Sequence, residues 1–209
     1  MGAGEGVSRK MGISVIIPAK DEPYLLQLVD EIHQALAYES HEILVQSEQS
    51  LGYAVQCGLR KAKGEVVVIM DGDGSHNPKY IAPMLSYLNG KTDLVVGSRY
   101  FGHGRSEDSL IREIISRFFC LMARLFLKLH VKDVMSGFLV GTREAFRFTF
   151  ARGYKFGLEL IMENRNRVAE HPIVFEKRKM GRSKASPFEV LLILKLIVQL
   201  RSLHLRFRA

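Results

Sequence analysis

Short apolar runs alternate with helical stretches across the first half of the chain, which leaves few folds open to it. The predicted elements are, in order, strand 13–18, helix 24–36, strand 42–46, helix 54–62, strand 65–70, helix 79–88 and strand 93–97. Strands that are apolar throughout, rather than on alternate residues, are typical of parallel sheets covered on both faces. The pattern therefore predicts an α/β fold with a mostly parallel central sheet flanked by helices.

The second half of the chain is richer in helix. Its predicted elements are, in order, helix 109–129, strand 139–141, helix 157–169, strand 172–176 and a C-terminal amphipathic helix within 188–208. A basic loop, KRKMGRSK, precedes the last helix. We assign residues 1–186 to one domain and residues 187–209 to the C-terminal helix, which either lies on a membrane surface or packs on protein.

Thirty Lys and Arg residues against 22 Asp and Glu residues give the 209-residue chain a net charge of +8. Such a surplus indicates anionic partners, whether nucleic acid, nucleotide phosphates or an acidic lipid surface. Cys57 and Cys120 lie in apolar segments without metal-ligand spacing, which is typical of a reducing compartment. Because no apolar run reaches the roughly 18–20 residues of a membrane span, we expect a cytoplasmic protein, peripheral on the cytoplasmic membrane face.

Two carboxylates directly follow the predicted strand 65–70, in the segment VVVIMDGDGSHNP. A calcium loop of the EF-hand kind is excluded, because its glycine position is His76 and its glutamate position is Ala82. Two explanations remain at this point. Asp71 and Asp73 either form a strand-to-helix turn through local hydrogen bonds, or bind Mg²⁺ or Mn²⁺, which prefer carboxylate oxygen and complete their shell with water and phosphate.

Five segments stand in order along the chain: IIPAKDE, VVVIMDGDGSHNP, VVGSRY, DVMSGF and KRKMGRSK. Together they resemble the motifs of family 2 glycosyltransferases of GT-A type, in particular the dolichyl-phosphate mannosyltransferase branch. The resemblance extends from residue 13 to about residue 186. It implies a nucleotide-sugar-binding fold and a metal-dependent, inverting enzyme. Such an enzyme moves a hexose, with mannose favoured, from a donor such as GDP-mannose to a polyprenyl or dolichyl phosphate acceptor.

The resemblance also implies which residues form the site. The positions that match the donor-binding residues are Pro18, Lys20, Glu22, Asp71, Gly72, Asp73, Ser75, Lys155, Arg178 and Lys184. Among them, Asp71 and Asp73 are implied to hold Mg²⁺ or Mn²⁺ at the donor diphosphate. The positions that match the catalytic and acceptor-phosphate residues are Asp73, Arg99, Arg112 and Ser116.

The residue types at the acceptor positions suit a phosphate. Arg112 and Ser116 are four residues apart and therefore share one face of the predicted helix 109–129. A guanidinium fork and a hydroxyl offer the donors that a phosphate oxyanion accepts. A phosphate monoester is largely a dianion at pH 7 because its second pKa is about 6. Such an acceptor needs positioning and charge compensation more than a general base.

This chain departs from the family pattern near residues 46–50, where it lacks a strand–helix unit and its acidic loop. Without that loop the choice between GDP and UDP is open. Donors such as UDP-glucose or UDP-GlcNAc and a non-lipid acceptor are therefore alternatives. A non-catalytic nucleic-acid-binding protein is a further alternative on charge alone, but it gives no reason for an acidic pair at a strand end. We expect no nucleic-acid partner.

Overall fold

A six-stranded sheet forms the centre of the molecule. The computed structural model describes residues 12–48, 50–147, 156–179 and 195–201. The strands are β1 (Ile13–Pro18), β2 (His41–Gln46), β3 (Val66–Ile69), β4 (Leu94–Ser98), β5 (Arg105–Ser106), β6 (Leu139–Thr142), β7 (Val168–Pro172) and β8 (Val174–Phe175). The helices are α1 (Leu25–Ala35), α2 (Leu51–Lys61), α3 (Ile81–Leu85), α4 (Leu110–Leu127) and α5 (Phe156–Glu163). Pro78–Tyr80 and Arg143–Phe146 form 3₁₀ turns.

The large sheet has the strand order β2-β1-β3-β6-β4-β7, and β5 pairs with β8 in a smaller sheet. In the large sheet β6 runs antiparallel to β3 and β4, whereas the other neighbouring strands are parallel. The predicted α/β fold with a mostly parallel sheet is therefore confirmed. Strands β1, β3 and β4 are buried at almost every residue, which explains why these runs are apolar throughout.

Helices cover both faces of the sheet. Successive residues of a strand point to opposite faces, so Ile16 and Val67 belong to one core cluster while Val15 and Val68 belong to the other. Side chains from α2, α4 and α5 complete the first cluster, and side chains from α1 and α3 complete the second. Because β1, β3 and β4 run in the same direction, the loops that follow them lie at the same edge of the sheet.

The helices predicted over 79–88 and 157–169 are both too long, and the first is a 3₁₀ turn followed by the short α3. We expected helix over 157–169, but α5 ends earlier and the edge strand β7 follows it beside β4. Asn164 ends the helix, because its side-chain amide donates to the carbonyl oxygens of Leu160 and Ala145 at 2.9 Å each. Apolar spacing alone does not separate the end of this helix from the start of the strand. Of the predicted strand 172–176, Pro172 ends β7 and Val174–Phe175 form β8, which pairs with β5.

The predicted C-terminal helix is described only over residues 195–201, which are helical. Ile197 is 3% exposed and belongs to the core cluster that α4 shares. The Arg201 guanidinium donates to the carbonyl oxygen of Phe126 at 3.0 Å. This part of the helix therefore packs on the protein. The rest of 187–209 lies outside the described residues, so the amphipathic helix as a whole and the domain boundary at 186 stay predictions.

The chain passes from β2 to α2 through residues 47–50, and β2 forms one edge of the large sheet. Ser50 caps α2, since its hydroxyl accepts the Tyr53 amide proton at 3.3 Å. The absence of a strand–helix unit relative to the family stays a prediction. Among the helices that the structure describes, none has the length and apolarity to cross a membrane.

The turn after β3 packs closely against the loop after β1. A Cβ atom placed on Gly72 would lie 2.7 Å from the Ala19 Cβ, and one on Gly74 would lie 2.7 Å from the Tyr24 Cδ1. Gly74 also has a φ of +78°, a conformation that side chains other than glycine rarely adopt. The close packing of the two loops therefore depends on these glycines.

We expect Gly74→Ala to lower the free energy of unfolding by about 2–5 kcal/mol. The positive φ accounts for roughly 1–2 kcal/mol, and the contact with the buried Tyr24 ring adds about 1–3 kcal/mol of overpacking. Gly90→Ala is the matched control, because Gly90 has the same φ of +78° with nothing within 4 Å of its Cβ position. Denaturant unfolding measures both. Equal losses in the two variants would contradict the close packing of the turn.

Candidate active site

A cavity of about 510 Å³ opens at the edge of the sheet where the strand-end loops meet. The described residues that line it are Asp71, Asp73, Ser75, His76, Arg99, Asp108, Arg112, Met135, Ser136, Gly137, Phe175, Glu176, Lys177 and Arg178. The acidic pair after β3 thus shares one space with the arginine after β4 and an arginine of α4. A few polar and charged groups converging on one cavity are typical of a ligand site.

Local hydrogen bonds fix the second aspartate of the pair. The amide and the hydroxyl of Ser75 both donate to Asp73 Oδ1, at 2.9 and 2.5 Å. Asp73 Oδ2 lies 2.9 Å from the Arg178 guanidinium. Local hydrogen bonds therefore fix Asp73, as a turn would, and both carboxylates still line the cavity, so a metal role for the pair stays a prediction. Ser75 is 1% exposed, and its hydroxyl binds Asp73, so Ser75 holds that carboxylate in place. Its predicted contact with the donor stays a prediction.

The first aspartate is held through a histidine that sequence reasoning missed. The Asp71 amide donates to His76 Nδ1 at 3.1 Å, so this nitrogen is an acceptor. The His76 ring is buried and stacks on Phe138 with 5.1 Å between ring centroids. Burial lowers the pKa of His76, Arg99 lowers it further, and the nearby carboxylates act in the opposite direction. A neutral His76 therefore supports the turn, while the Asp71 side chain stays 38% exposed.

Three segments that are distant in sequence meet at Arg178. Its Nη1 donates to both carboxylate oxygens of Glu22, at 3.0 and 3.3 Å, and its Nη2 lies 2.9 Å from Asp73 Oδ2. Next to it, Lys179 Nζ donates to the Tyr24 hydroxyl at 2.8 Å. Three of the predicted donor residues, Glu22, Asp73 and Arg178, are thus brought together. The segment after β8 binds the loop after β1 and the acidic turn at once.

Other predicted donor residues lie beside the cavity or outside the described chain. Pro18 ends β1, the Lys20 side chain is exposed, and Gly72 packs on the loop after β1. The described lining of the cavity includes none of these three. Lys155 and Lys184 lie outside the described residues. The donor roles of all ten predicted residues stay predictions.

Arg99 is held by a buried carboxylate. Its Nε and Nη2 donate to the two oxygens of Asp133 at 2.7 and 2.8 Å, and Nη2 also donates to the Ser116 hydroxyl at 3.1 Å. Burial opposes the charge of Arg99, but the charge and hydrogen bonds of Asp133 outweigh it and raise the pKa of Arg99. The predicted acceptor residues Arg99 and Ser116 are therefore in direct contact.

Arg112, the third predicted acceptor residue, is held more loosely. Its Nη1 lies 3.5 Å from Asp108 Oδ1, and its side chain is 49% exposed. Both Arg112 and Asp108 line the cavity. An exposed ion pair of this kind contributes little stability, so the Arg112 side chain is able to leave Asp108 for a ligand anion.

The segment before β6 forms the floor of the cavity. The Ser136 hydroxyl donates to the Gly97 carbonyl oxygen at 2.6 Å and accepts the Phe138 amide proton at 3.2 Å. Met135, Ser136 and Gly137 also line a second cavity of about 110 Å³, together with residues of α5. Asp71 lines both cavities.

Residues 31–150 of this chain match the model of the family described as glycosyl transferase family 2. The match covers more than half of the chain. The chain belongs to glycosyl transferase family 2.

Two curated proteins are similar to this chain in sequence. A dolichol-phosphate mannosyltransferase from Mycosarcoma maydis is 35% identical over an alignment 161 positions long, and the alignment covers 72% of this chain and 54% of that protein. A dolichol-phosphate mannosyltransferase from Pyrococcus furiosus is 29% identical over an alignment 208 positions long, and the alignment covers 83% of this chain and 59% of that protein. The chain therefore spans little more than half the length of these relatives.

Solved structures of the glucosyl-3-phosphoglycerate synthase from Mycobacterium tuberculosis have a similar fold. The form with Mn²⁺, UDP-glucose and phosphoglyceric acid superposes with a TM-score of 0.64 at 17% identity, covering 92% of this chain and 80% of that one. The form with Mg²⁺ and UDP gives a TM-score of 0.63 at 16% identity, covering 91% and 78%. At this identity the likeness establishes a shared fold, which agrees with the predicted GT-A type.

Glu159 on α5 is a buried acid whose protonation should affect stability. It is 6% exposed, and its Oε2 has no hydrogen-bond partner within the described part of the chain. Burial, aided by Glu163, raises the pKa of Glu159 from 4.5 to about 7. The folded state therefore favours the protonated form, and the stability it confers is lost as the pH rises through about 7.

We expect Glu159→Gln to match the wild type in stability near pH 4.5 and to exceed it by about 1–3 kcal/mol at pH 8. Urea unfolding across this pH range measures the difference. Glu163→Gln is the control on the same helix, where the side chain is exposed; it removes only the weaker cause and should keep most of the pH dependence. A constant difference between Glu159→Gln and wild type at all pH values would contradict the raised pKa.

Proposed function

We propose that this chain is a metal-dependent, inverting glycosyltransferase that moves a hexose from a nucleotide sugar to a polyprenyl or dolichyl phosphate. Mannose and GDP-mannose are the favoured sugar and donor. The observation that carries the proposal is the sharing of one cavity by Asp71 and Asp73 with Arg99 and Arg112. Carboxylates that suit a cation and arginines that suit a phosphate are both needed if the two substrates are phosphate compounds.

The acidic pair fits a divalent metal of the Mg²⁺ or Mn²⁺ type. Both carboxylates line the cavity, and the Asp71 side chain is 38% exposed there. Within the described residues no group of three or more His, Cys, Asp or Glu forms a metal cluster. One or two carboxylates, completed by water and substrate phosphate, are what Mg²⁺ commonly uses. When bound, the metal would offset charge on the departing diphosphate.

Arg178 and the first loop support a donor site next to the acidic pair. Arg178 contacts Glu22 and Asp73 together, so a diphosphate entering here meets a guanidinium already placed between the two loops. Electrostatic groups fixed before the reaction stabilise developing charge at little reorganisation cost. Lys155 and Lys184 are proposed to join them from segments outside the described residues.

The arginines of the other part of the cavity support an acceptor that is itself a phosphate. An oxygen of the acceptor forms a bond to the anomeric carbon, while the bond from that carbon to the diphosphate oxygen breaks. The nucleoside diphosphate leaves with the electron pair, and attack from the opposite face inverts the anomeric centre. A phosphate dianion has no proton to lose, so Arg99, Arg112 and Ser116 suffice to bind and orient it.

The relatives support the favoured substrates without deciding them. The two curated relatives are dolichol-phosphate mannosyltransferases, whereas the neighbour of similar fold is crystallised with UDP-glucose and phosphoglyceric acid. A UDP-sugar donor with a non-lipid acceptor is therefore the second candidate. Labelled GDP-mannose, UDP-glucose and UDP-GlcNAc, each with Mn²⁺ and with or without polyprenyl phosphate, separate the two by whether label enters organic solvent.

In this transfer assay we expect Asp73→Asn to lower turnover at least about a hundredfold, because it removes charge that holds the cation at the diphosphate. Arg112→Ala should raise the KM for polyprenyl phosphate about tenfold and leave the donor KM unchanged, because the lost bond serves the acceptor.

Asp93→Asn is the control for both variants, since Asp93 precedes β4 at the opposite end of the strand and pairs with the exposed Arg167. It should keep wild-type turnover. Full activity in Asp73→Asn, or an equal change of donor and acceptor KM in Arg112→Ala, would contradict the assignments.

Helix α4 supports a peripheral membrane location, which we propose to be the cytoplasmic face in keeping with the free thiols of Cys57 and Cys120. Large apolar side chains form an exposed stripe at helical spacing on its outer side. The members are Ile111, Ile114, Phe118, Leu121 and Leu125, which are between 50% and 72% exposed. Arg112 and Arg117 flank the stripe on the same helix. Apolar side chains with cationic neighbours suit an anionic lipid surface.

We expect the double change Ile111→Gln and Phe118→Gln to reduce binding to vesicles containing anionic lipid by at least about tenfold. Each apolar side chain removed from lipid forfeits roughly 1.5–3 kcal/mol of burial, and about 1.4 kcal/mol is tenfold. Leu26→Gln with Tyr38→Gln is the matched control, because these side chains are 82% and 88% exposed elsewhere. Vesicle sedimentation measures both. An equal loss in the two pairs would contradict the location on α4.

A further inference from the structure

We propose that Glu170 and Asp133 are positioning residues for the acceptor phosphate. They fix the guanidinium of Arg99 so that one of its amino groups faces the cavity. This inference rests on the proposed function, because it assumes that an anionic acceptor binds Arg99. Neither carboxylate lines the cavity as far as the described residues go. Both act through Arg99.

The hydrogen bonds of Arg99 leave one amino group for a ligand. Nε and Nη2 are engaged by Asp133, and Nη2 also donates to Ser116. The guanidinium carbon lies 5.0 Å from the ring centroid of Tyr100 and 5.4 Å from that of Phe175. The bidentate bond and the two rings restrict rotation of the side chain. Since Arg99 lines the cavity, the remaining Nη1 group is the one that points to a ligand.

Asp133 uses both of its carboxylate oxygens to hold Arg99. It is fully buried, and its Oδ2 accepts the Arg99 amide at 3.0 Å as well as Nε at 2.7 Å. Its Oδ1 accepts Arg99 Nη2 at 2.8 Å and the Cys120 thiol at 3.7 Å. Both the backbone and the side chain of Arg99 are therefore bound by one carboxylate. A carboxylate so occupied is a structural partner of the guanidinium and has no oxygen directed at a substrate.

Glu170 in turn fixes the backbone that carries Asp133. Its Oε1 accepts the amide of Asp133 at 3.1 Å, and its Oε2 accepts the amide of Lys132 at 2.8 Å. Glu170 lies on β7, where it is 9% exposed and in register with Val96 of β4. One carboxylate thus binds the loop before β6 to the sheet. Val96, the register partner of Glu170, precedes Arg99 by three residues. Lys132 and Asp133 are adjacent in this loop, so both hydrogen bonds act on the backbone at Asp133.

The arrangement distinguishes the two arginines of the cavity. Arg112 is half exposed and pairs loosely with Asp108, so binding a phosphate must order its side chain. Arg99 is already ordered through Asp133 and Glu170. Ordering a ligand-binding group in advance removes that entropy from the cost of binding, and misplacement of such a group by about 1 Å can lower rates a hundredfold. Arg99 therefore sets where the phosphate lies, and Arg112 adjusts to it.

The test is Glu170→Gln, which keeps the shape of the side chain but leaves one of the two amides facing an NH₂ group. We expect the KM for polyprenyl phosphate to rise about tenfold, with the KM for the nucleotide sugar within about twofold of wild type. Glu170→Asp keeps both oxygens on a shorter side chain and should give a smaller rise. Glu42→Gln is the matched control, since Glu42 accepts the Lys63 amide at 2.6 Å and the Ser14 hydroxyl at 2.7 Å away from the cavity.

A double-mutant cycle separates positioning from general loss of structure. If Glu170 acts through Arg99, adding Glu170→Gln to Arg99→Lys should change the acceptor KM less than about twofold, because Lys has no fork to orient. Additive effects, a matching rise in the donor KM, or the same acceptor effect in Glu42→Gln would overturn the proposal.

A spectroscopic measurement keeps the positioning test independent of turnover. In the wild type the Arg99 Nε proton should exchange slowly and give a distinct NMR signal, as expected of a buried bidentate pair. Glu170→Gln should broaden or lose that signal, and Glu42→Gln should keep it. A wild type that transfers no sugar to polyprenyl phosphate would end the proposed function. An unchanged Arg99 signal in Glu170→Gln would end the positioning role whatever the activity.

Discussion

One reversed strand determines how the candidate site is laid out. Strand β6 runs antiparallel between β3 and β4, with Leu139 opposite Ile69 on one side and Val96 on the other. The loop that enters β6 therefore arrives at the same edge as the loops that leave its two neighbours. It also separates them by two strand spacings, about 9–10 Å. The acidic turn after β3 and the arginine after β4 are thereby kept apart, with Ser136 and Gly137 between them as a floor.

The ion pairs of the arginines that line the cavity differ in how deeply they are buried. The side chains of Arg99 and Asp133 are 12% and 0% exposed, whereas those of Arg112 and Asp108 are 49% and 29% exposed. Arg178 lies between these cases and contacts two carboxylates. Separating a buried pair is strongly destabilising, but an exposed pair exchanges partners at little cost. The buried pair is therefore fixed, whereas the exposed pair of Arg112 and Asp108 can exchange partners.

Much of the fold could be predicted from the chain because its physical cause is local. The runs around Val67 and Val95 are apolar throughout because both faces of the sheet are covered. That pattern can be recognised from the sequence alone. The role of Glu170 could not be predicted, because its partners are backbone amides 37 and 38 residues away. Its own sequence neighbourhood is typical of a helix or an exposed strand. His76 was missed for a similar reason: its partner is a backbone amide rather than a second titratable side chain. Such contacts depend on sheet order, which single-sequence periodicity does not give.

Helix α4 carries the cavity on one side and the apolar stripe on the other. Arg112 lines the cavity and Ser116 accepts a hydrogen bond from Arg99, while Phe118 and Leu125 remain exposed. A helix is about 10 Å across, so a bilayer in contact with its outer side would lie only that far from the guanidinium groups. A long-chain phosphate could then reach them by lifting its head group while its tail stays among the other lipids. Delivery would become a short vertical displacement in place of extraction into water.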